Sequence, residues 1–300
     1  MDRESYEKYL LAGEIVDKVK KIVYEKVKVG VSILEICEFV ESEIKRLGGQ
    51  PAFPCNVCVN DIAAHYTALP EDRTKIPKDS IVKVDIGVHI DGFIVDTAFT
   101  KYFSPRFKGL SDITRESLEK AVEIIRDGVK VKSVSEAIEK TITAAGFMPI
   151  EDLSGHQLKQ YNLHAGINIP NVARIAPNYK LKEGEVYAIE PFATLNGLGK
   201  VIEGDLKPIC CVLKTFTLCK LSPIEKIMLN NLHERFRTLP FAIRWIKASK
   251  AKLKILDKLA RKKLVYCYPV LIEARRGFVS QCETTVVVKK NGCEVLSEIL

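Results

Sequence analysis

Apolar positions recur at helical spacing over residues 7–28. A second helical run, ILEICEFVESEIKRLGG, follows Ser32 and Glu35 at the spacing of a capping box and ends at Gly48 and Gly49. After Pro51, Pro54 and a polar stretch to Pro77, the period shortens to two, and VKVDIGVHIDGFIVDTAFT (82–100) reads as two strands around a turn. The same order then recurs. ITRESLEKAVEIIRDG is helical, Ser133 and Glu136 make a second box opening AIEKTITAAGF, Gly146 ends it, and GEVYAIEPFAT and GFVSQCETTVVV are strand patterns. Helix, capped helix, glycine, loop and strands in duplicate predict two half-domains folded face to face.

Each half carries two acids inside its strand patterns, Asp85 and Asp96 in the first, Glu190 and Glu283 in the second. A four-residue loop at His89–Gly92 would pair Val88 with Phe93 and set Asp85 opposite Asp96, whereas a two-residue Asp91-Gly92 turn would set Asp96 opposite Gly87. Side chains alternate, so either register leaves both carboxylates on one face. Like charges at cross-strand distance repel, more so away from water, and a cation between them is expected.

Charge is unevenly placed. The chain has a net +8, yet residues 214–264 hold 14 Lys and Arg against 3 Asp and Glu, a local +11 that leaves about −3 elsewhere. In that segment Ser222, Pro223 and Glu225 form a helix start, and ASKAKLKILDKLARKKL sets residues 253, 256, 259, 260 and 264 on one apolar face against a basic one. An inserted helical subdomain over 206–266 is expected within a single 1–300 domain. The nine cysteines, odd in number and in apolar contexts, predict reduced thiols, with Cys55 and Cys58 two buried thiols rather than half of a zinc ribbon. The charged, helical N-terminal segment lacks the pattern of a signal peptide, and no stretch approaches the roughly 18 apolar residues of a membrane span. A cytoplasmic protein without a membrane partner is expected.

Three of the five histidines stand near these patterns: His65 in AAHYTALP, His156 in LSGH and His164 in YNLHAGINIPN, while His89 and His233 read as surface or hydrogen-bonded residues. The order Asp, Asp, His, Glu, Glu, with AFP, AAHYT, VKVDIGVHIDGFIVDTA, LSGH, LHAG, IEPFAT, LPFAIRW and YPVL, resembles the type II methionine aminopeptidases in their archaeal form. The resemblance runs nearly end to end. It implies an α+β pita-bread fold of two pseudo-symmetric halves holding two divalent metal ions, with an oxygen-rich ligand set suited to Co, Mn, Fe or Zn. On the matching motifs Asp85 would chelate one ion, Asp96 and Glu283 would bridge both, and His156 and Glu190 would complete the set. Glu190 would also carry the proton, His65 and His164 would hydrogen-bond the peptide, and Phe53, Leu163, Phe192 and Tyr268 would line the methionine pocket.

The implied reaction removes the initiator methionine from nascent polypeptide N-termini, with a small second residue preferred. Prolidases and proline-specific aminopeptidases share the acid order, and a non-catalytic binding protein of the same fold is a further alternative. The basic segment fits either a contact with ribosomal RNA or a solvated helical face. One position departs from the family, which usually has histidine after the last glutamate; here Thr284 follows Glu283.

Overall fold

Helix α1 (Arg3–Lys26) buries Tyr9, Ala12, Ile15, Val16, Val19 and Val23 along one stripe, and Asp2 caps it by accepting the Ser5 amide at 2.8 Å. These details come from a computed structural model that describes residues 1–213, 221–247 and 249–300. Helix α2 (Ile33–Arg46) starts at Ser32, but the expected capping box is not made: the Ser32 side chain caps nothing, and Glu35 pairs with Lys26 at 2.7 Å. Both helices pack on a hairpin of two ten-residue strands, Ile81–Ile90 and Phe93–Tyr102.

The hairpin takes the shorter of the two turns considered. Ile90 pairs with Phe93, Asp91 and Gly92 both have positive φ, and Asp96 therefore lies opposite Gly87. On the other edge of the Ile81–Ile90 strand runs Asn56–Val59, with Asn56 opposite Asp85.

In the second half, α3 (Lys108–Ile124) and α4 (Val131–Ala144) cover a five-stranded sheet whose order is Gly292–Val295, Thr284–Lys289, Val186–Ile189, Ser154–Leu158, Asn168–Pro170. The second expected capping box also fails. Helix α4 is entered from Lys130, so Ser133 lies inside its first turn. Glu190 and Glu283 are not within strands as read from the sequence. Glu190 falls in the gap between Val186–Ile189 and Phe192–Leu195, and Glu283 in the gap between Phe278–Gln281 and Thr284–Lys289. Pro191 explains the first gap, since it has no N–H to continue the ladder. The paired strands break together: Thr284 lies opposite Ile189 and Gln281 opposite Phe192. Glu283 instead bridges to the first half, its N–H donating to Ala98 O at 3.0 Å and its carbonyl accepting from Ala98 at 3.3 Å.

Residues Ile209–Tyr268 add a three-stranded sheet (Phe241–Ala242, Ile209–Val212, Val265–Tyr268) under α5 (Pro223–Phe236) and α6 (Lys250–Arg261). Leu229, Leu232, Phe241, Leu256, Leu259 and Leu264 form its own core. Here the capping box does form, Glu225 accepting from Ser222 N at 2.7 Å and Ser222 from Glu225 N at 3.4 Å. Leu253, on the expected apolar face, is exposed. Arg244 and Trp245 tie this layer to α2, Trp245 Nε1 donating to Glu41 at 2.6 Å and Arg244 forming a buried ion pair with the same carboxylate.

The expectation of reduced thiols holds for Cys55 and Cys58 but fails at Cys210 and Cys267, which are disulfide-bonded. Strand register sets those two directly opposite each other across 57 residues of sequence. Lys214, Cys219 and Lys220 lie outside the described residues. Among the described residues no helix is long and apolar enough to cross a membrane.

Candidate active site

All the candidate residues named from the sequence line one cavity of about 310 Å³: Asp85, Asp96, His156, Glu190 and Glu283 with His65, His164, Phe53, Leu163, Phe192 and Tyr268. The hairpin supplies the two aspartates from mid-strand positions, the Ser154–Leu158 strand supplies His156, and the two strand breaks supply the glutamates. Placing glutamates at breaks frees their longer side chains to turn into the cleft while the flanking ladders fix the backbone.

Asp96, His156 and Glu283 offer ligand atoms all within 4.8 Å of one another, and all three are buried. His156 Nε2 lies 3.7 Å from Asp96 Oδ2 and 3.5 Å from Glu190 Oε1. Gln281, on the same face as Glu283 by alternation, donates its amide to Glu283 at 3.3 Å and to Glu190 at 3.4 Å. Asn56 donates to Asp85 at 3.3 Å. These two amides are functional neighbours that the sequence reading missed. Gln281 was legible from its spacing to Glu283, but Asn56 becomes visible only through the cross-strand register.

Burial pushes the Asp85 carboxyl up to about 7. Asp96, Glu190 and Glu283 are held well above the carboxylate range, first by burial and then by neighbouring acids, the Asp85 charge at Asp96 and Glu190 and the Asp96 charge at Glu283. His156 is driven well below its ordinary value by burial and by His164. Among the described residues no lysine or arginine lines the cavity. Asp85 Oδ1, Asp96 Oδ1 and His156 Nδ1 are buried without a hydrogen-bond partner. Crowded buried acids, a neutral imidazole and orphaned oxygens fit divalent cations, since a positive charge would satisfy all three at once.

His65 occupies the left-handed region at φ 65°, a strained backbone for a non-glycine residue. Its Nδ1 lies 3.1 Å from Pro269 O, and a carbonyl only accepts, so Nδ1 carries the proton and Nε2 is the acceptor. Burial lowers both His65 and His164, the latter to about 4. The His164 ring meets His156 edge-on at 4.5 Å, and Tyr268 lies 5.4 Å from His65. Phe53, Phe192 and Leu163, all buried, and Tyr268 wall the apolar side together with Ile209 and Leu271, which the sequence reading did not name.

The sequence model of metallopeptidase family M24 matches residues 7–221. The methionine aminopeptidase of Thermococcus onnurineus is 44% identical over 292 residues, covering 96% of this chain and 98% of that protein. This chain belongs to metallopeptidase family M24, among its methionine aminopeptidases. The M24 chain superposes on the solved structure of a thermophilic Arx1 with a TM-score of 0.88 at 18% identity, over 99% of this chain and 91% of the other. On the methionine aminopeptidase of Thermotoga maritima it scores 0.72 at 22% identity, over 99% and 98%. At those identities the likeness speaks for the fold, which is the pita-bread fold expected from the sequence.

Proposed function

We propose that this M24 hydrolase removes N-terminal methionine from peptides and nascent proteins, with a small residue preferred in second place, and that it is of type II. The observation that carries this reading is the meeting of five metal-suited side chains with an apolar pocket in one cavity. Asp85, Asp96, His156, Glu190 and Glu283 would hold two divalent ions, Co, Mn, Fe or Zn. Such ions supply Lewis acidity and bring the pKa of water toward neutrality.

The chain's own residues do the rest. Glu190 takes a proton from the attacking water and returns it to the departing amine. His164 and His65, kept neutral by burial, hydrogen-bond the peptide around the scissile bond, His65 through Nε2. Phe53, Leu163, Phe192 and Tyr268 enclose an unbranched apolar side chain, where one methylene is worth about 1–3 kcal/mol of discrimination.

Hydrolysis of Met-Ala-Ser, Met-Asp-Ser, Leu-Ala-Ser and Xaa-Pro peptides tests the proposal, before and after exhaustive chelation. Cleavage of Met-Ala-Ser alone is expected, lost on chelation and regained with divalent ions. Full activity without metal would sink the mechanism, and preference for Xaa-Pro would reassign the substrate.

The exposed lysines Lys250, Lys252 and Lys254 on α6 line no part of the cavity and support a separable contact with ribosomal RNA. Their reversal to Glu is then expected to weaken co-sedimentation with ribosomes and flatten its salt dependence while peptide hydrolysis is kept. Equal co-sedimentation of variant and wild type leaves a solvated face.

A further inference from the structure

Thr97 and Thr284 each follow a carboxylate residue of the site, and strand alternation turns them to the opposite face. Thr97 is fully buried, and its hydroxyl donates to the carbonyl of Glu283 at 2.8 Å while accepting from Lys20 Nζ at 3.1 Å. An ammonium only donates, so the single Thr97 proton is committed to Glu283. Lys20, 1% exposed, places its other protons on the Glu298 carbonyl and on Asp17 at 3.2 Å, and Asp17 in turn accepts the Glu298 amide at 2.9 Å. A buried ammonium is costly unless each proton finds an oxygen, and here three donors meet three acceptors.

The remaining threonines extend the same assembly. Thr285 exchanges both bonds with the Asp96 backbone, accepting its N–H at 2.8 Å and donating to its carbonyl at 2.7 Å, and the Thr285 carbonyl accepts from Leu296 N at 2.8 Å. The Thr284 hydroxyl donates to Ser297 O at 2.6 Å. Helix α1 lies directly on this segment: a Cβ at Gly13 would stand 2.1 Å from Leu296 O.

We propose that Lys20, Thr97 and the Leu296–Glu298 segment form a positioning assembly that sets the backbones of Glu283 and Asp96 for divalent-cation binding. None of these residues lines the cavity, so they act through the ligands and not on substrate. The proposal rests on the metallopeptidase reading.

Calorimetric titration of the metal-free protein with MnCl₂ tests it, alongside melting of the same metal-free samples. Thr97→Val, which keeps shape and removes the hydroxyl, is expected to lower Mn²⁺ affinity about 10- to 100-fold, a loss larger than the lowering of metal-free stability that the unpaired Lys20 proton causes. Thr97→Ser is expected to bind as the wild type does. Lys20→Met is expected to match Thr97→Val, and the double variant to be no worse than either, because one relay is broken only once. Wild-type affinity in Thr97→Val, equal losses in Thr97→Ser, additive losses in the double variant, or affinity lost only in step with metal-free stability each overturns the assembly. Failure of the wild type to bind Mn²⁺ overturns the metallopeptidase reading itself.

Discussion

Gly87 shows how one missing side chain shapes the pocket. It lies opposite Asp96 in the hairpin, and a Cβ there would come 2.2 Å from Cε1 of Phe53 and 2.6 Å from its Cδ1. The backbone at 87 has no positive φ to demand glycine, so the requirement is the close approach of the ring. Gly87→Ala is therefore expected to push Phe53 toward the cavity and crowd the pocket proposed to take the methionine side chain, leaving the Asp96 backbone pairing in place. Steady-state kinetics on Met-Ala-Ser should show KM raised about tenfold or more, the scale of one misfitted methylene, with bound metal unchanged. An unaltered KM would mean that the ring has room to move elsewhere.

At the scale of elements, the hairpin turn carries its own pH dependence. His89 Nδ1 accepts the Gly92 amide at 3.0 Å, which requires a neutral ring, and burial lowers the group to about 4 despite the nearby Asp91 charge. The folded state thus binds fewer protons than the unfolded one between pH 4 and about 6.5, so stability falls as pH drops through that window and levels off below it. The full difference is at most about 3 kcal/mol. Urea unfolding of wild type and His89→Asn across pH 4–7 should show the acid loss shrinking in the variant, and parallel curves would remove His89 as its cause.

This turn also marks where sequence reading stops. Alternation put Asp85 and Asp96 on one face whatever the register, but the choice of partner for Asp96 depended on Asp91 taking positive φ. Of three expected capping boxes only the one at Ser222 forms. At Ser32 a competing ion pair from Lys26 draws Glu35 away, and at Ser133 the helix begins earlier, both tertiary effects that spacing does not encode. Pro191 was a readable sign that Glu190 ends a strand; Glu283 had no such sign, because its break is set by the bridge to Ala98. The Cys210–Cys267 bond was hidden for the same reason, being a product of register between distant strands.

For the whole molecule, the four acids converge from both halves, and their repulsion in the absence of cations must be met by protonation. Asp85, near 7 when folded against an ordinary 3.8, holds more protons folded than unfolded across that interval. Its contribution is therefore fully present below about pH 4 and lost as pH rises through 7, and Asp96, Glu190 and Glu283, each held well above the ordinary carboxylate range, act in the same direction. Divalent cations reverse the sign, because they bind the ionised carboxylates and protons compete with them. Between pH 6.5 and 8, above the His89 transition, Asp85 alone should cost the metal-free protein roughly 1 kcal/mol, a fall in Tm of about 1–2 °C for a chain of this size, with the other three acids adding in the same direction. Over the same window the Mn²⁺-loaded protein should hold or gain stability, since a ligand at 100 times its Kd adds about 2.7 kcal/mol and its affinity grows as protons leave. Asp96→Asn should flatten the metal-free slope and remove most of the gain from Mn²⁺. Thermal melts at three pH values, with and without MnCl₂, decide the matter: slopes of the same sign in both states would mean that the buried acids are not the cation site.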